Sequence, residues 1–241
     1  MLPWIKLDTS TIPGGKEELR LMQRGAEFSI MLGHNELMST RLSGSEEALA
    51  TLPCERIRQR PNAHILIGGL GMGFTLRAAL SAVAPDARIT VAELVPAVIA
   101  WARGPMAALH GNSLDDPRVI LHPGDVGALI RSGRSAYDAI LLDIDNGPAG
   151  LTRASNDRLY DAVGLSLAQT ALRPGGVLAV WSAAPDRHFA KLLHTIGFTV
   201  EEVRVRANAG RGGARHVIWL ASIEPAPRRV SPPKARKTRL S

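Results

Sequence analysis

Ala63-His-Ile-Leu-Ile-Gly-Gly-Leu-Gly-Met-Gly-Phe-Thr-Leu-Arg-Ala-Ala-Leu80 is the stretch from which the fold is read. Ile65 to Ile67 is a short apolar run, as expected of a buried strand. Glycines follow at 68, 69, 71 and 73, and Phe74 to Val83 is rich in Ala and Leu, as expected of a helix. A strand, a glycine turn and a helix let a backbone approach a nucleotide closely, because no Cβ stands in the way. Gly68, Gly69, Gly71 and Gly73 are therefore candidate cofactor-binding residues.

Downstream of this unit, strands and helices alternate. Strands are expected at Arg88–Ala92, Val119–Leu121, Tyr137–Leu142 and Val177–Trp181. Helices are expected at Phe74–Val83, Pro96–Ala102, Val126–Arg131, 157–172 and Asp186–Ile196, with Arg173-Pro-Gly-Gly176 closing the fourth of them. Such alternation implies a mostly parallel sheet covered on both faces. Phe198–Val205 and His216–Ala221 have no helix between them and are expected to pair antiparallel, joined by a glycine-rich loop, Ala207–Gly213.

Upstream, residues 1–17 look polar and irregular, with a breaker at Pro13-Gly-Gly15. Glu18–Gln23, Glu27–Leu32 and Glu36–Arg41 are short runs separated by Arg24-Gly25 and Gly33-His-Asn35, the spacing of antiparallel hairpins. Ser43–Leu52 is expected to be a helix stopped by Pro53. The organisation expected is a small β-hairpin region with its helix at 1–52, a Rossmann-like domain at 53–223 and a basic disordered tail at 224–241.

The chain has 241 residues and a formal charge of +7. Six Lys or Arg and no Asp or Glu lie in 225–241, which leaves 23 basic against 22 acidic side chains elsewhere. A nearly neutral body does not suggest nucleic-acid binding. Cys54 is the one cysteine, so neither an internal disulfide nor a cysteine-pair metal site is expected. The seven histidines show no metal-ligand spacing with carboxylates, and no metal is expected. With no secretory signal and no apolar run of about 20 residues, the expectation is a cytoplasmic protein without membrane contact.

The turn fits neither common phosphate fingerprint. Counted from Gly69, a Gly-x-Gly-x-x-Gly pattern would end on Phe74, and no Gly-Lys-Ser/Thr is present. What stands is Gly69-Leu-Gly-Met-Gly73. Glu93 follows it by twenty residues, at a strand end where an acid accepts from ribose hydroxyls. Asp125 follows the next strand and is a candidate acceptor for an adenine amine. Trp101 is a candidate wall for that pocket, though core packing suits it better. Trp181 is a candidate wall against a cation. Asp143 and Asp145 close the fourth strand ahead of Gly147-Pro148.

Ile67–Gly73, Val91-Ala-Glu-Leu94, His122-Pro-Gly-Asp125 and Tyr137–Ala149 together resemble the spermidine synthase family, a branch of the class I S-adenosylmethionine-dependent methyltransferase fold. The resemblance covers about residues 18–222. It implies S-adenosylmethionine or its decarboxylated form as cofactor, Glu93 on the ribose and Asp125 on the adenine amine. It also implies that Asp143, with Asp145 beside it, deprotonates an attacking amine. A small-molecule amine is the expected partner, and the frontal β unit an expected homodimer contact.

The chain departs from the family pattern in three places, one of them the Asp-x-x-Asp-Pro loop, shortened here to Asp143-Ile-Asp145-Asn. An Asp usual in the glycine turn is Met72, and Tyr-Gln ahead of the first Rossmann strand is Ser45-Glu46. A methionine cannot bind the ammonium of an aminopropyl donor. The expectation is therefore methyl transfer from S-adenosylmethionine to an amine. Aminopropyl transfer to a polyamine and nucleoside binding without turnover are the alternatives.

Overall fold

A computed structural model describes residues 2–15, 17–144, 147–148, 158–208 and 214–224. Asp145, most of the glycine-rich loop and the tail from 225 lie outside the described residues. Strands β1 (Ile5–Thr11), β2 (Glu18–Arg24), β3 (Glu27–Leu32) and β4 (Asn35–Ser39) form an antiparallel sheet in that order. Three of the four were expected. β1 replaces the irregular segment read at 1–17. It is an edge strand exposed along nearly all its length, so it carries no buried alternation from which to recognise it.

Helix α1 (Gly44–Ile57) runs through Pro53 instead of stopping there, so a boundary at 52/53 falls inside a helix. Leu49, Ala50, Pro53, Cys54 and Ile57 recur at helical spacing and are all buried. Their burial offsets the roughly 3 kcal/mol that an interior proline costs. Cys54 lies on this face, where burial pushes its thiol up to about 12 and leaves it unreactive as a thiolate.

The second sheet contains β5 (His64–Gly68), β6 (Arg88–Glu93), β7 (Val119–Pro123), β8 (Tyr137–Leu142), β9 (Leu172–Ser182), β10 (Thr199–Arg206) and β11 (Arg215–Ser222). Their order across the sheet is β10-β11-β9-β8-β5-β6-β7. β5 to β9 are parallel neighbours, and β10 and β11 form the expected antiparallel hairpin. β9 starts earlier than read, because Pro174-Gly175 sits in a bulge: Leu172 pairs Tyr137, and the next partners are Val177 and Ala139.

The helices are α2 (Phe74–Ala82), α3 (Pro96–Arg103), α4 (Ala107–His110), α5 (Val126–Ser132), α6 (Ala162–Ala171) and α7 (Arg187–Ile196). Strand alternation sorts the core into two layers. Ile65, Ile67, Ile89, Val91 and Leu141 face α1, α2, α3 and the frontal sheet. Leu66, Ile140, Leu142, Val180 and Trp219 face α5, α6 and α7. The indole N–H of Trp101, on α3, donates to Asp8 Oδ2 on β1 at 2.7 Å and ties the frontal sheet down. Trp101 is buried core and does not wall the cavity described below.

At the other end of the strands, Asp138 is buried on β8. Its carboxylate accepts from Arg60 at 2.7 Å, Arg173 at 2.6 Å and the His64 backbone N–H at 2.8 Å. Asp138→Ala leaves that N–H and two guanidinium groups without their acceptor. Chemical denaturation is expected to show a loss of about 3 kcal/mol.

Candidate active site

The carboxyl ends of β5, β6, β7 and β8 converge on one cavity, at the point where the sheet order reverses. Its floor is the turn Gly69–Gly73, with Glu93, Asp125 and Asp143 around it. Its far wall is apolar and comes from the frontal sheet and the segment beside it: Ile12, Leu19, Ile30, Leu37 and Met38. Of the predicted site residues that are described, Asp143, Gly69, Gly71, Gly73, Glu93 and Asp125 line this cavity and Gly68 does not. Gly68 closes β5 just beneath, packed on Ile144 and Val126.

The turn is glycine for a steric reason. Gly69 has φ of +94°, and a Cβ there would collide with the Asp143 carbonyl oxygen. The backbones of the turn and of Asp143 are thus interlocked, with Asp143 N donating to Gly68 O at 3.0 Å. Below the turn lies His110, buried and pressed against Gly73. Burial, and then the charge of Arg77, lower its pKa to about 4, so it is a neutral packing group at physiological pH.

Glu93 is buried, and desolvation raises its pKa against the pull of backbone donors. It accepts from Leu70 N at 2.9 Å and Val95 N at 2.8 Å, one on each oxygen. The backbone N–H groups of Gly71 and Leu94 also act on this carboxyl. Asp125 caps α5, accepting from Gly127 N at 2.8 Å, and pairs with Arg131 at 3.1 Å.

Asp143 differs from both. Burial, and then the neighbouring Glu46 carboxylate, push its pKa up to about 7, against a 2.6 Å hydrogen bond donated by Thr75 Oγ1. Glu46 lies in the first turn of α1 and lines the same cavity. Its own pKa is raised by burial. Ser45 Oγ donates to Glu46 Oε2 at 2.7 Å, and His216 Nδ1 lies 2.9 Å from Ser45 Oγ. Trp181 completes this wall, its ring 4.6 Å from that of His216.

Sequence reading missed Thr75 and His216, and it noted Glu46 only as a departure from the family's Tyr-Gln pair. Glu46 resembles an ordinary first-turn acid, and Thr75 and His216 have no local signature. Met72, singled out in the sequence, is buried in apolar packing at the cavity floor. Among the described residues no group of His, Cys, Asp or Glu has metal-binding geometry, and no helix is long and apolar enough to cross a membrane.

A buried carboxyl with a raised pKa is favourable while protonated and costs stability once ionised. For Asp143 the cost starts as the unfolded carboxyl ionises near 3.8, grows as pH rises, and is complete above about 7. Asp143→Asn, which keeps the acceptor for Thr75, is expected to melt several degrees above the parent at pH 8. The gap should close as the pH is lowered towards 4, as scanning calorimetry would show.

The spermine/spermidine synthase domain model matches residues 43–199. Polyamine aminopropyltransferase 1 of Streptomyces coelicolor is 29% identical over 83% of the chain and 36% of its own length. Putrescine N-methyltransferase 4 of Nicotiana tabacum is 34% identical over 55% of the chain and 32% of its own length. The chain thus spans about a third of the length of these two curated relatives. Spermidine synthase from Thermotoga maritima superposes with a TM-score of 0.71 at 18% identity, over 90% of this chain and 72% of that one, which shows the shared fold. The matched stretch runs from the start of α1 into β10, across the turn, Glu93, Asp125 and Asp143, and by it the chain belongs to the spermine/spermidine synthase domain family.

Proposed function

We propose that this chain transfers an aminopropyl group from decarboxylated S-adenosylmethionine to a small-molecule amine. The observation that carries the reading is Asp143, a buried carboxyl with a pKa of about 7 facing the cavity beside Glu46. An alkyl ammonium must lose a proton before its nitrogen can attack, and a base poised near neutrality suits that step.

The residues present fit the cofactor. Glu93, at the cavity floor beside the glycine turn, would hold the ribose hydroxyls, and Asp125 would accept from the adenine amine. The Gly69–Gly73 backbone would lie along the nucleoside chain. When bound, the cofactor supplies a carbon activated by its sulfonium. Asp143 and Glu46 make the inner end anionic, which draws in a cationic amine and favours positive charge near the reacting centre. Trp181 offers a ring face to that cation. The apolar frontal wall excludes water. Asp145, the next acid in the sequence, is the candidate second carboxylate.

Methyl transfer, the expectation drawn from Met72, is not the reading the comparisons favour. The family model is of spermine and spermidine synthases, and a relative aligned over 83% of the chain is named a polyamine aminopropyltransferase. The plant methyltransferase matches a smaller part. Met72 removes a charge from the turn, but Glu46 puts one into the same cavity.

With putrescine as acceptor, decarboxylated S-adenosylmethionine is expected to yield methylthioadenosine by liquid chromatography. S-adenosylhomocysteine formed from S-adenosylmethionine would instead establish methyl transfer, and neither product would leave a binding protein. Asp143→Asn should lower kcat by about 10²- to 10⁴-fold while methylthioadenosine still binds in calorimetry. The parent's rate should fall as pH drops below about 7, because protonated Asp143 cannot accept the ammonium's proton.

A further inference from the structure

A carboxyl on a side chain turns about its own bonds, and a base works only if one of its oxygens meets the proton. Asp143 is held against that turning by an alcohol on a neighbouring helix. Resting on the reading above, we propose that Thr75 is a positioning residue for the transfer: it binds one oxygen of Asp143, Oδ2, and so leaves the other, Oδ1, to take the proton of the acceptor ammonium.

Thr75 is 2% exposed and lies in the first turn of α2, two residues past Gly73. A threonine in a helix commonly returns its hydroxyl to a carbonyl of the preceding turn. Thr75 instead reaches out of its helix. Its Oγ1 lies 2.6 Å from Asp143 Oδ2 and 3.3 Å from the Glu46 carbonyl oxygen. One hydroxyl carries one proton, which goes to the nearer acceptor, the one that bears charge when ionised. Among the described residues, no other group donates to the Asp143 carboxyl. The main chain of Asp143 is held by the same part of the fold, its N donating to Gly68 O and its carbonyl lying under Gly69. Strand β5, the glycine turn and α2 thus fix this residue at backbone and side chain together.

The hydrogen bond makes the two carboxyl oxygens unequal. Oδ2 already shares electron density with a donor, so Oδ1 is the better place for a new bond. As the N–H bond of the ammonium breaks, its electron pair stays on nitrogen for the attack and an O–H bond forms at Oδ1. Thr75 donates to Oδ2 before and after, and its own proton does not move. The charged groups of the cavity are Glu46 on α1, Glu93 at the end of β6 and Asp125 at the start of α5, with Asp143 itself. No Lys, Arg or His lines it among the described residues. Within that set, Thr75 is the group that favours the ionised, working form of Asp143.

The test uses the full chain with decarboxylated S-adenosylmethionine and putrescine. Thr75→Val keeps the shape of the side chain and removes the donor. The acidic limb of kcat should move up by at least about half a pH unit, which lowers kcat at least about threefold at pH 6 and by less at pH 9. Methylthioadenosine affinity should not change. Thr75→Ser keeps the hydroxyl and should return the limb to the parent's position. Thr75→Ala should shift it as valine does, and replaces valine if that variant does not fold. A limb that stays in place, an equal loss at every pH, or no restoration by serine overturns the proposal. A second arm needs no turnover: the Asp143 carboxyl is titrated by carbon-13 NMR, its signal assigned by its loss in Asp143→Asn. Its midpoint should rise in Thr75→Val and return in Thr75→Ser, and an unmoved midpoint overturns the proposal. If the midpoint moves but the parent transfers nothing, the hold of Thr75 on Asp143 stands and the aminopropyl reading falls.

Discussion

The close crossing of Gly69 over the Asp143 carbonyl is the constraint on which the site depends. Two parallel strands, β5 and β8, end side by side at the reversal of the sheet order. The first turns away through a left-handed glycine, and the second continues beneath it. A side chain at that glycine would push the two strand ends apart. The crossing brings the glycine turn and Asp143 together at one cavity. His110 under Gly73 fixes the turn from the other side.

Electrostatics then divides the carboxylates of the cavity by environment. Glu93 is surrounded by backbone donors, and Asp125 sits at a helix start with an arginine partner. Asp143 has a single hydroxyl donor and a like charge nearby. Three carboxyls of similar intrinsic acidity thus sit in three different electrostatic environments.

The sheet was legible because its central strands β5, β6 and β8 are short and buried, and its helices begin and end on clear signals such as Asp186 and Gly197. The glycine turn, Glu93, Asp125 and Asp143 were legible because each lies at a strand end, where spacing along the chain maps onto position in space. β1 was not, because a strand exposed on both faces has no alternation. Glu46 and His216 were not, because they are 170 residues apart and meet only through Ser45. Pro53 misled, since a local helix breaker was outweighed by the buried face around it.

The cavity draws its two ends from separate pieces of chain. Its polar end is built from strand tips of the seven-stranded sheet, while its apolar wall belongs largely to a four-stranded sheet joined to the rest by packing and by the Asp8–Trp101 bond. Changes in β2, β3 or β4 can therefore reshape the apolar wall without disturbing the strand-tip groups at the other end. In such an architecture the two ends of one cavity can change independently of each other.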